Sequence, residues 1–531
     1  MNRRKFNDRF ILLLPAALTA LFFAFMFLYS GALVDSDDAG ELILSRLLSR
    51  EHSLISRSWF YSTEIRFLNT QLVFAPLFYV FKSWKAVRCA GSAILLIIYE
   101  LSAFALGRSA GLDRRYSLIL SSLSALPLSG PYFHYVMFGS YYIPHIAISF
   151  GVVALIIYFC ENGSTLRGKA ALAAAALLSF SACVEGPRQI LCLAAPLFIS
   201  ALVIREKRLL VSSCLCMLSS GLGYMTNKAL AGYYTFSHME GGFDIAFSFD
   251  NLKTVLKSFL TSYGFRTDRS ILSPFVVCDL AAAAIIILTL LSAVFCLKNK
   301  SILSFGEKMI SVFYLSAMVI YTAFIALTGY SGSSRYNLQI TVYAFPMILI
   351  YLKHRSPAEE IPKAVPAVQS VGDGASPETA RRIKIMVSVI LIICSAFTYL
   401  EYIPDRTPSE HQLMARAVED SGCSYVYSTF WNGNVITELS DGRIEAHVWP
   451  YLLKGSGDAG IRDIDSVFPS LQEKSHASEH PEGPVCCIFD TRELEAYIPK
   501  QLEGSEIIYR SDEHTIYRVP SYEDLRMLTA N

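Results

Sequence analysis

The chain has 531 residues, of which 53% are apolar and 17% charged, with a formal net charge of +1 and a mean hydropathy of +0.40. This composition excludes a single soluble domain, and the balanced charge gives no reason to expect a nucleic-acid partner. Apolar runs long enough to span a bilayer recur along the chain, so it reads as an α-helical polytopic membrane protein whose orientation is set by where Lys and Arg fall.

The tail Met1-Asn2-Arg3-Arg4-Lys5 is basic, and the apolar run Ile11 to Tyr29 lacks a small-residue cleavage site. An uncleaved first helix with a cytoplasmic N-terminus is therefore expected, not a signal peptide. Residues 34–88 follow as a first external loop with interfacial helices. Within it Gln71 to Phe81 is apolar but only about half the length of a span, and Pro76 interrupts it, which predicts an interfacial or re-entrant piece. Further spans are expected near 89–107, 115–133, 143–160, 168–184, 188–204, 209–230, 274–297, 309–329, 338–352 and 383–400, about eleven in all. The turns Arg108 to Arg115, Glu161 to Lys169, Arg205 to Arg208, Lys298 to Lys308 and Lys353 to Lys384 all carry Lys or Arg and are placed inside.

Residues 1–400 thus form the transmembrane domain. Its last inward connection, 353–382, contains the Pro-, Ala-, Gly- and Ser-rich stretch Ser356 to Thr379 and reads as a flexible cytoplasmic loop. Residues 401–531 change character: strand-like runs at Ser424 to Phe430, Arg443 to Trp449, Val485 to Phe489 and Glu506 to Val519 predict a small extracytoplasmic α/β domain. Ser511-Asp512-Glu513-His514 is the expected hairpin turn within the last run. Most of the 12 cysteines fall in expected spans, where Cys behaves as a small apolar residue. Cys423 could pair with Cys486 or Cys487 in the outer domain. No metal-binding CxxC or HExxH, Walker or GxGxxG motif stands in a supporting context.

The densest chemical signal is Asp35-Ser36-Asp37-Asp38-Ala39-Gly40-Glu41, directly after the first span. Carboxylates at a membrane exit must face water, a cation, a basic partner or a substrate. Asp38 and Glu41 match a capping box, with Asp38 as N-cap of a surface-lying helix whose apolar side is Leu42, Ile43, Leu47 and Leu48. Asp35 and Asp37 are left over by that reading. Such a pair can orient a hydroxyl, take its proton as it attacks, or hold a divalent cation against a phosphate.

Asp35-Ser36-Asp37 with Glu41-Leu42, then Trp59-Phe60-Tyr61-Ser62-Thr63-Glu64-Ile65-Arg66, Asn69-Thr70-Gln71 and, near the other end, Phe430-Trp431-Asn432-Gly433-Asn434, resemble bacterial multi-pass proteins of the GT-C superfamily. These are membrane glycosyltransferases that use polyprenyl-phosphate-linked sugars, such as the protein O-mannosyltransferases and aminoarabinose transferases. The resemblance implies transfer at the outer membrane face, with an acidic residue of the first external loop as the base. The matching position is Asp37, with Asp35 and Asp38 as rivals and Glu41 in the same cluster. The superfamily's familiar Asp-Glu pair is absent. An Arg-Tyr pair such as Arg335-Tyr336 is similar to the lipid-phosphate site of several GT-C enzymes.

The reaction needs a fixed cation where the leaving lipid phosphate gains charge. Arg335 and Arg188, in Glu185-Gly186-Pro187-Arg188-Gln189, fit that need, and each could equally bind lipid headgroups at the interface. Glu64 and Arg66 are expected to form an ion pair that shapes the site. His134 and His145 read as interface residues or as metal or substrate ligands. Trp431 and Asn432 could contact a sugar or form a buried turn, and the aromatic loop Ala231 to Ser273 could cover a lipid entry. The expected partners are a polyprenyl-phosphate-linked sugar, an extracytoplasmic glycan, lipid or protein acceptor, and membrane lipids. No cofactor is required by the sequence beyond a possible divalent cation, for which Asp35 and Asp37 are the candidates. A lipid or polysaccharide transporter and a lipid-linked glycan polymerase or ligase are the alternatives.

Overall fold

Seven described helices are long and apolar enough to cross a membrane: Ile11–Leu33, Trp84–Ser109, Ile143–Asn162, Leu166–Glu185, Lys207–Leu230, Val276–Lys298 and Phe305–Thr328. Two shorter apolar helices, Ile190–Ile204 and Ser388–Glu401, accompany them. They belong to a computed structural model that describes residues 3–529 except Thr63, 237–247, 267–269, 271, 329–332, 356–376, 406, 450–467, 469, 492–501 and 503. The chain is a multi-pass membrane protein. Most of the expected cytoplasmic loop, and Phe243 and Phe247 of the aromatic loop, lie outside the described residues.

Two expected spans take another form. In place of a helix over 115–133 there is Arg114–Ser124, followed by a three-residue turn Gly130–Tyr132 and a π-helix Phe133–Phe138. Pro127 and Pro131 remove the N–H groups that a continuous helix would need. The run 338–352 is split at Tyr343 into Leu338–Val342 and Ala344–His354, and its residues 338–350 are buried inside the bundle, away from lipid. A second π-helix, Ile190–Ala194, opens the helix that continues as Ala195–Ile204. π-turns widen a helix by one residue and so re-aim the side chains beside them.

Gln71–Leu77 is a seven-residue helix, too short to span. It docks Phe74 against Gly91 of Trp84–Ser109, where a Cβ would overlap the Phe74 ring. The aromatic loop contributes a strand, Thr235–Phe236, paired parallel with Trp59–Tyr61, which pairs antiparallel with Gln472–Glu473. A helix not anticipated there, Phe249–Ser262, is capped by Ser248 and buries Val255 and Phe259.

The C-terminal region forms a five-stranded sheet in the order Glu445–Trp449, Tyr425–Thr429, Val485–Asp490, His514–Val519, Glu506–Arg510. The first three strands are parallel and the last two form the expected antiparallel hairpin. The cysteines are free thiols, and Cys423 shares the sheet's core with Cys486. Phe430–Leu439, which opens with the Phe-Trp-Asn-Gly-Asn motif, leaves the sheet and packs on the acidic helix Ser36–Glu51. Arg88, 1% exposed, locks this junction: its guanidinium donates to both carboxylate oxygens of Glu438 at 2.5 Å and to the Asp38 carbonyl at 2.8 Å.

Candidate active site

The acidic helix begins three residues earlier than the sequence suggests. Asp35, not Asp38, is the N-cap: its carboxylate accepts the Asp38 N–H at 2.9 Å, and Asp38 reaches back to the Asp35 N–H. Glu41 is unavailable for capping because it accepts from the Thr70 hydroxyl at 2.6 Å and the Gln71 amide, and pairs with Arg66 at 3.0 Å. The helix is also not surface-lying. Leu42, Ile43, Leu47 and Leu48 are buried, and so are Asp38 and Glu41, because Phe430–Leu439 of the C-terminal region and the short helix Gln71–Leu77 both pack on the acidic helix.

Capping leaves the intervening Asp37 facing away from the cap, with its carboxylate 3.3 Å from the Arg335 guanidinium and 30% exposed. From there contacts run through every sequence-expected binding residue. Arg335 donates to the Tyr336 hydroxyl at 3.2 Å and lies 5.1 Å from that ring's centre. Arg188 stands 5.9 Å from the same ring and pairs with Glu64 at 3.0 Å. Glu64 is 3.6 Å from Arg66, and Arg66 returns to Glu41, one helical turn from Asp37. These seven residues close a ring contributed by the acidic helix, the loop after Trp59–Tyr61, the turn before the second π-helix and the 3-10 turn Ser334–Asn337.

The ring sets the carboxylates apart. Burial, and then the charge of Asp35, push the Asp37 carboxyl above its ordinary value against the pull of Arg335 and Arg66. Burial also tends to raise Asp35, but the His134 hydrogen bond at 3.0 Å and the helix N–H outweigh it and hold Asp35 low. Asp38, completely buried, is raised well above the usual range by burial and by Asp35. Glu64 is lowered: burial is opposed chiefly by Arg188, then by His145 and Arg66. Asp37 is thus a half-buried carboxylate with raised basicity, whereas Asp35 is spent on the cap and on His134.

Of the two carboxylates expected to hold a cation, Asp37 turns to Arg335, whereas Asp35 stands with other ligand atoms. Among the described residues the ligand atoms of Asp35, Asp38 and His134 lie within 4.8 Å of one another, and Asp38 Oδ1 has no hydrogen-bond partner. Gly139 makes room for that oxygen, because a Cβ there would sit 2.5 Å from it. His134 comes from the first π-helix, which turns its ring to Asp35 at 3.0 Å. His145 is not interfacial: it is buried 3.8 Å from both Glu64 and Glu185.

Behind the ring, a buried network was not legible in the sequence. The Gln339 amide donates to Ser149 Oγ at 2.9 Å, Gln189 Oε1 at 3.1 Å and the Tyr343 hydroxyl at 2.8 Å, and Gln189 donates to the His145 carbonyl at 3.2 Å. It ties the Arg188 and Arg335 segments to one scaffold. The helix Phe249–Ser262 adds a Ser262–Thr341 hydroxyl bond of 2.9 Å and an Asn337 to Ser258 bond of 2.5 Å. Asn432 is buried between His411 and His514, each 3.2 Å from its carbonyl oxygen, while Trp431 stays 57% exposed.

A cavity of about 550 Å³ opens beside the ring, lined by His134, Tyr135, Lys257, Arg266 and Ser334 among others. An apolar cleft of about 250 Å³ lies deeper along the same helices. Cys278 and Thr398 line the upper space; Ile285 and Leu391, seven residues along each helix and so about 10 Å away, line the lower.

No protein-family model and no curated protein matches the chain in sequence. Its structure is similar to ArnT from Cupriavidus metallidurans in the apo state, with a TM-score of 0.61, 10% identity and 99% of each chain covered. The chain has the GT-C fold. ArnT bound to undecaprenyl phosphate gives a TM-score of 0.54 at 12% identity, covering 96% of this chain and 98% of that one. The archaeal oligosaccharyltransferase AglB from Archaeoglobus fulgidus, in complex with an inhibitory peptide and a dolichol-phosphate, gives 0.54 at 11% identity, covering 92% and 70%. Within this fold the ring and the cavity lie at one end of the bundle, and the apolar cleft runs from there toward the other, where Tyr116 and Leu352 line it.

Proposed function

We propose that this protein is an integral membrane glycosyltransferase that moves one sugar from a polyprenyl-phosphate donor to an extracytoplasmic acceptor. The observation that carries the reading is the closed ring from Asp37 through Arg335, Tyr336, Arg188, Glu64 and Arg66 to Glu41. It presents one half-buried carboxylate of raised basicity next to guanidinium groups, beside a cavity whose lining includes Lys257 and Arg266, with an apolar cleft farther along the same helices. GT-C neighbours that bind a dolichol-phosphate or undecaprenyl phosphate support the choice of donor.

In the reaction, Asp37 takes the proton of the acceptor hydroxyl as its oxygen attacks the anomeric carbon from the face opposite the phosphate. The sugar–phosphate bond breaks, its electron pair leaves on the polyprenyl phosphate, and Arg335 neutralises the charge that develops there. Before donor binding Arg335 is held by Asp37. A phosphate that recruits Arg335 releases the carboxylate, so the base becomes free only when the donor is in place. Glu64 and Glu41 orient Arg188 and Arg66 by pairing with them. A divalent cation, where one binds, would be held by Asp35, Asp38 and His134 and would add positive charge at a phosphate oxygen. The isoprenoid runs along the cleft between Val276–Lys298 and the helix Pro377–Glu401, with the C-terminal sheet and exposed Trp431 on the acceptor side.

The test is incubation of the purified protein with polyprenyl-phosphate-linked pentose and hexose donors carrying a labelled sugar. Release of polyprenyl phosphate together with inverted transfer of label to a hydroxyl acceptor is expected. Translocation of intact donor across proteoliposomes, with no cleavage, would identify a transporter instead.

A further inference from the structure

At the end of the bundle away from the acidic ring, a cavity of about 630 Å³ opens between the end of Ala195–Ile204, the end of Val276–Lys298 and the start of Phe305–Thr328. The chain itself fixes this placement. The first of these helices starts just after Arg188, the second starts near Arg266, and the third runs toward Arg335. Arg205, Lys300 and Lys308 line the cavity, and none of their side chains has a hydrogen-bond or ion-pair partner among the described residues. Its one lining carboxylate, Glu206, is spent on the Leu209 N–H as the cap of Lys207–Leu230. The walls are apolar, including Leu297, Phe305 and Val312. Leu297, which lines the cavity, is exposed, and so are Leu202 and Ile302, the neighbours of the lining residues Val203 and Ser301.

We infer that this cavity is a binding site for an anionic phospholipid of the leaflet opposite the acidic ring. Three unpaired cations at one end of an apolar, laterally open space match a phosphate headgroup with acyl chains, and basic pockets between membrane helices recognise such lipids. A soluble anion would use the cations and leave the apolar walls wet. The inference is independent of the glycosyltransferase reading.

Native mass spectrometry of the full-length protein in detergent, titrated with phosphatidylglycerol or phosphatidylcholine, tests it. One phosphatidylglycerol should be retained preferentially. The combined substitution Arg205→Gln, Lys300→Gln and Lys308→Gln should weaken that retention by about tenfold or more. Val312→Trp, which fills the cavity and leaves the charges in place, should weaken it too, whereas Arg114→Gln with Arg115→Gln at another basic turn should not. Equal retention of the two lipids, no effect of either cavity variant, or displacement of phosphatidylglycerol by polyprenyl phosphate would overturn the proposal.

Discussion

Arg335 and Glu64 show how individual residues divide the work of the ring. Lys at 335 keeps a charge but loses the planar fork that spans Asp37 and Tyr336, so Arg335→Lys should raise the apparent donor KM and slow transfer, and Arg335→Ala should cost about 10²-fold or more. Acceptor KM should move little in either; separate titration of donor and acceptor checks this, and an effect confined to the acceptor would contradict it. Glu64 is held below the ordinary carboxylate value between Arg188 and Arg66. Its stabilisation is therefore fully present above the unfolded pKa and is lost as pH falls through the lowered one. Glu64→Gln should destabilise the protein by about 3 kcal/mol or more at pH 7, with the gap to wild type closing below about pH 4. Equal losses of thermal stability at both pH values would contradict this. Asp37, Arg335, Arg188, Glu64 and Arg66 stand out in the sequence as charged residues at membrane exits, and the structure brings them together in one ring. The true cap was not legible there, because Asp35 and Asp38 compete for the same helix start, and the partners that occupy Glu41 lie about 25 to 30 residues away. His134 could have been weighted more by noting that Pro127 and Pro131 break the helix before it.

At the scale of elements, most apolar runs became helices where hydropathy put them, since length and composition decide that locally. The exceptions are informative. Arg114–Ser124 is short because Pro127 and Pro131 follow it, and the run from Leu338 is split at Tyr343, ahead of Pro346, which has no N–H to give the Val342 carbonyl. The helix Phe249–Ser262 hid in an aromatic loop, although Ser248 followed by Leu252, Val255 and Phe259 is a capped amphipathic pattern. The short helix Gln71–Leu77 carries Gln71 to Glu41, and Thr70 immediately precedes it. Its seating depends on Phe74 meeting the bare Gly91 backbone. Gly91→Ala should therefore cost about 1–3 kcal/mol by overpacking, and Phe74→Leu in the same chain should recover part of the loss. A double variant no better than the sum of the two singles, in thermal melting, would show that the contact is not the cause.

For the whole molecule, the C-terminal sheet is fastened to the membrane bundle by the acidic helix and by the buried Arg88–Glu438 pair. That pair joins residues 350 positions apart, so neither partner stood out in the sequence, where Arg88 only marked the end of the first external loop. Glu438→Ala leaves a buried guanidinium unpaired and should cost about 3–5 kcal/mol; a loss below about 1 kcal/mol in thermal melting would mean the junction is held by other contacts. The distribution of basic turns predicts that a reporter fused after Asn531 reads as extracytoplasmic and one inserted within Ser356 to Thr379 as cytoplasmic. Both reporters on one side would break the topology.

Transfer as proposed needs Asp37 to accept the proton of the acceptor hydroxyl. Asn at 37 keeps the shape of the side chain but cannot take a proton, so the measurement that bears most directly on the claim is the rate of sugar transfer by purified Asp37→Asn with saturating donor. Loss of about 10²- to 10⁴-fold with an unchanged melting profile is predicted. Full activity in Asp37→Asn would contradict the account.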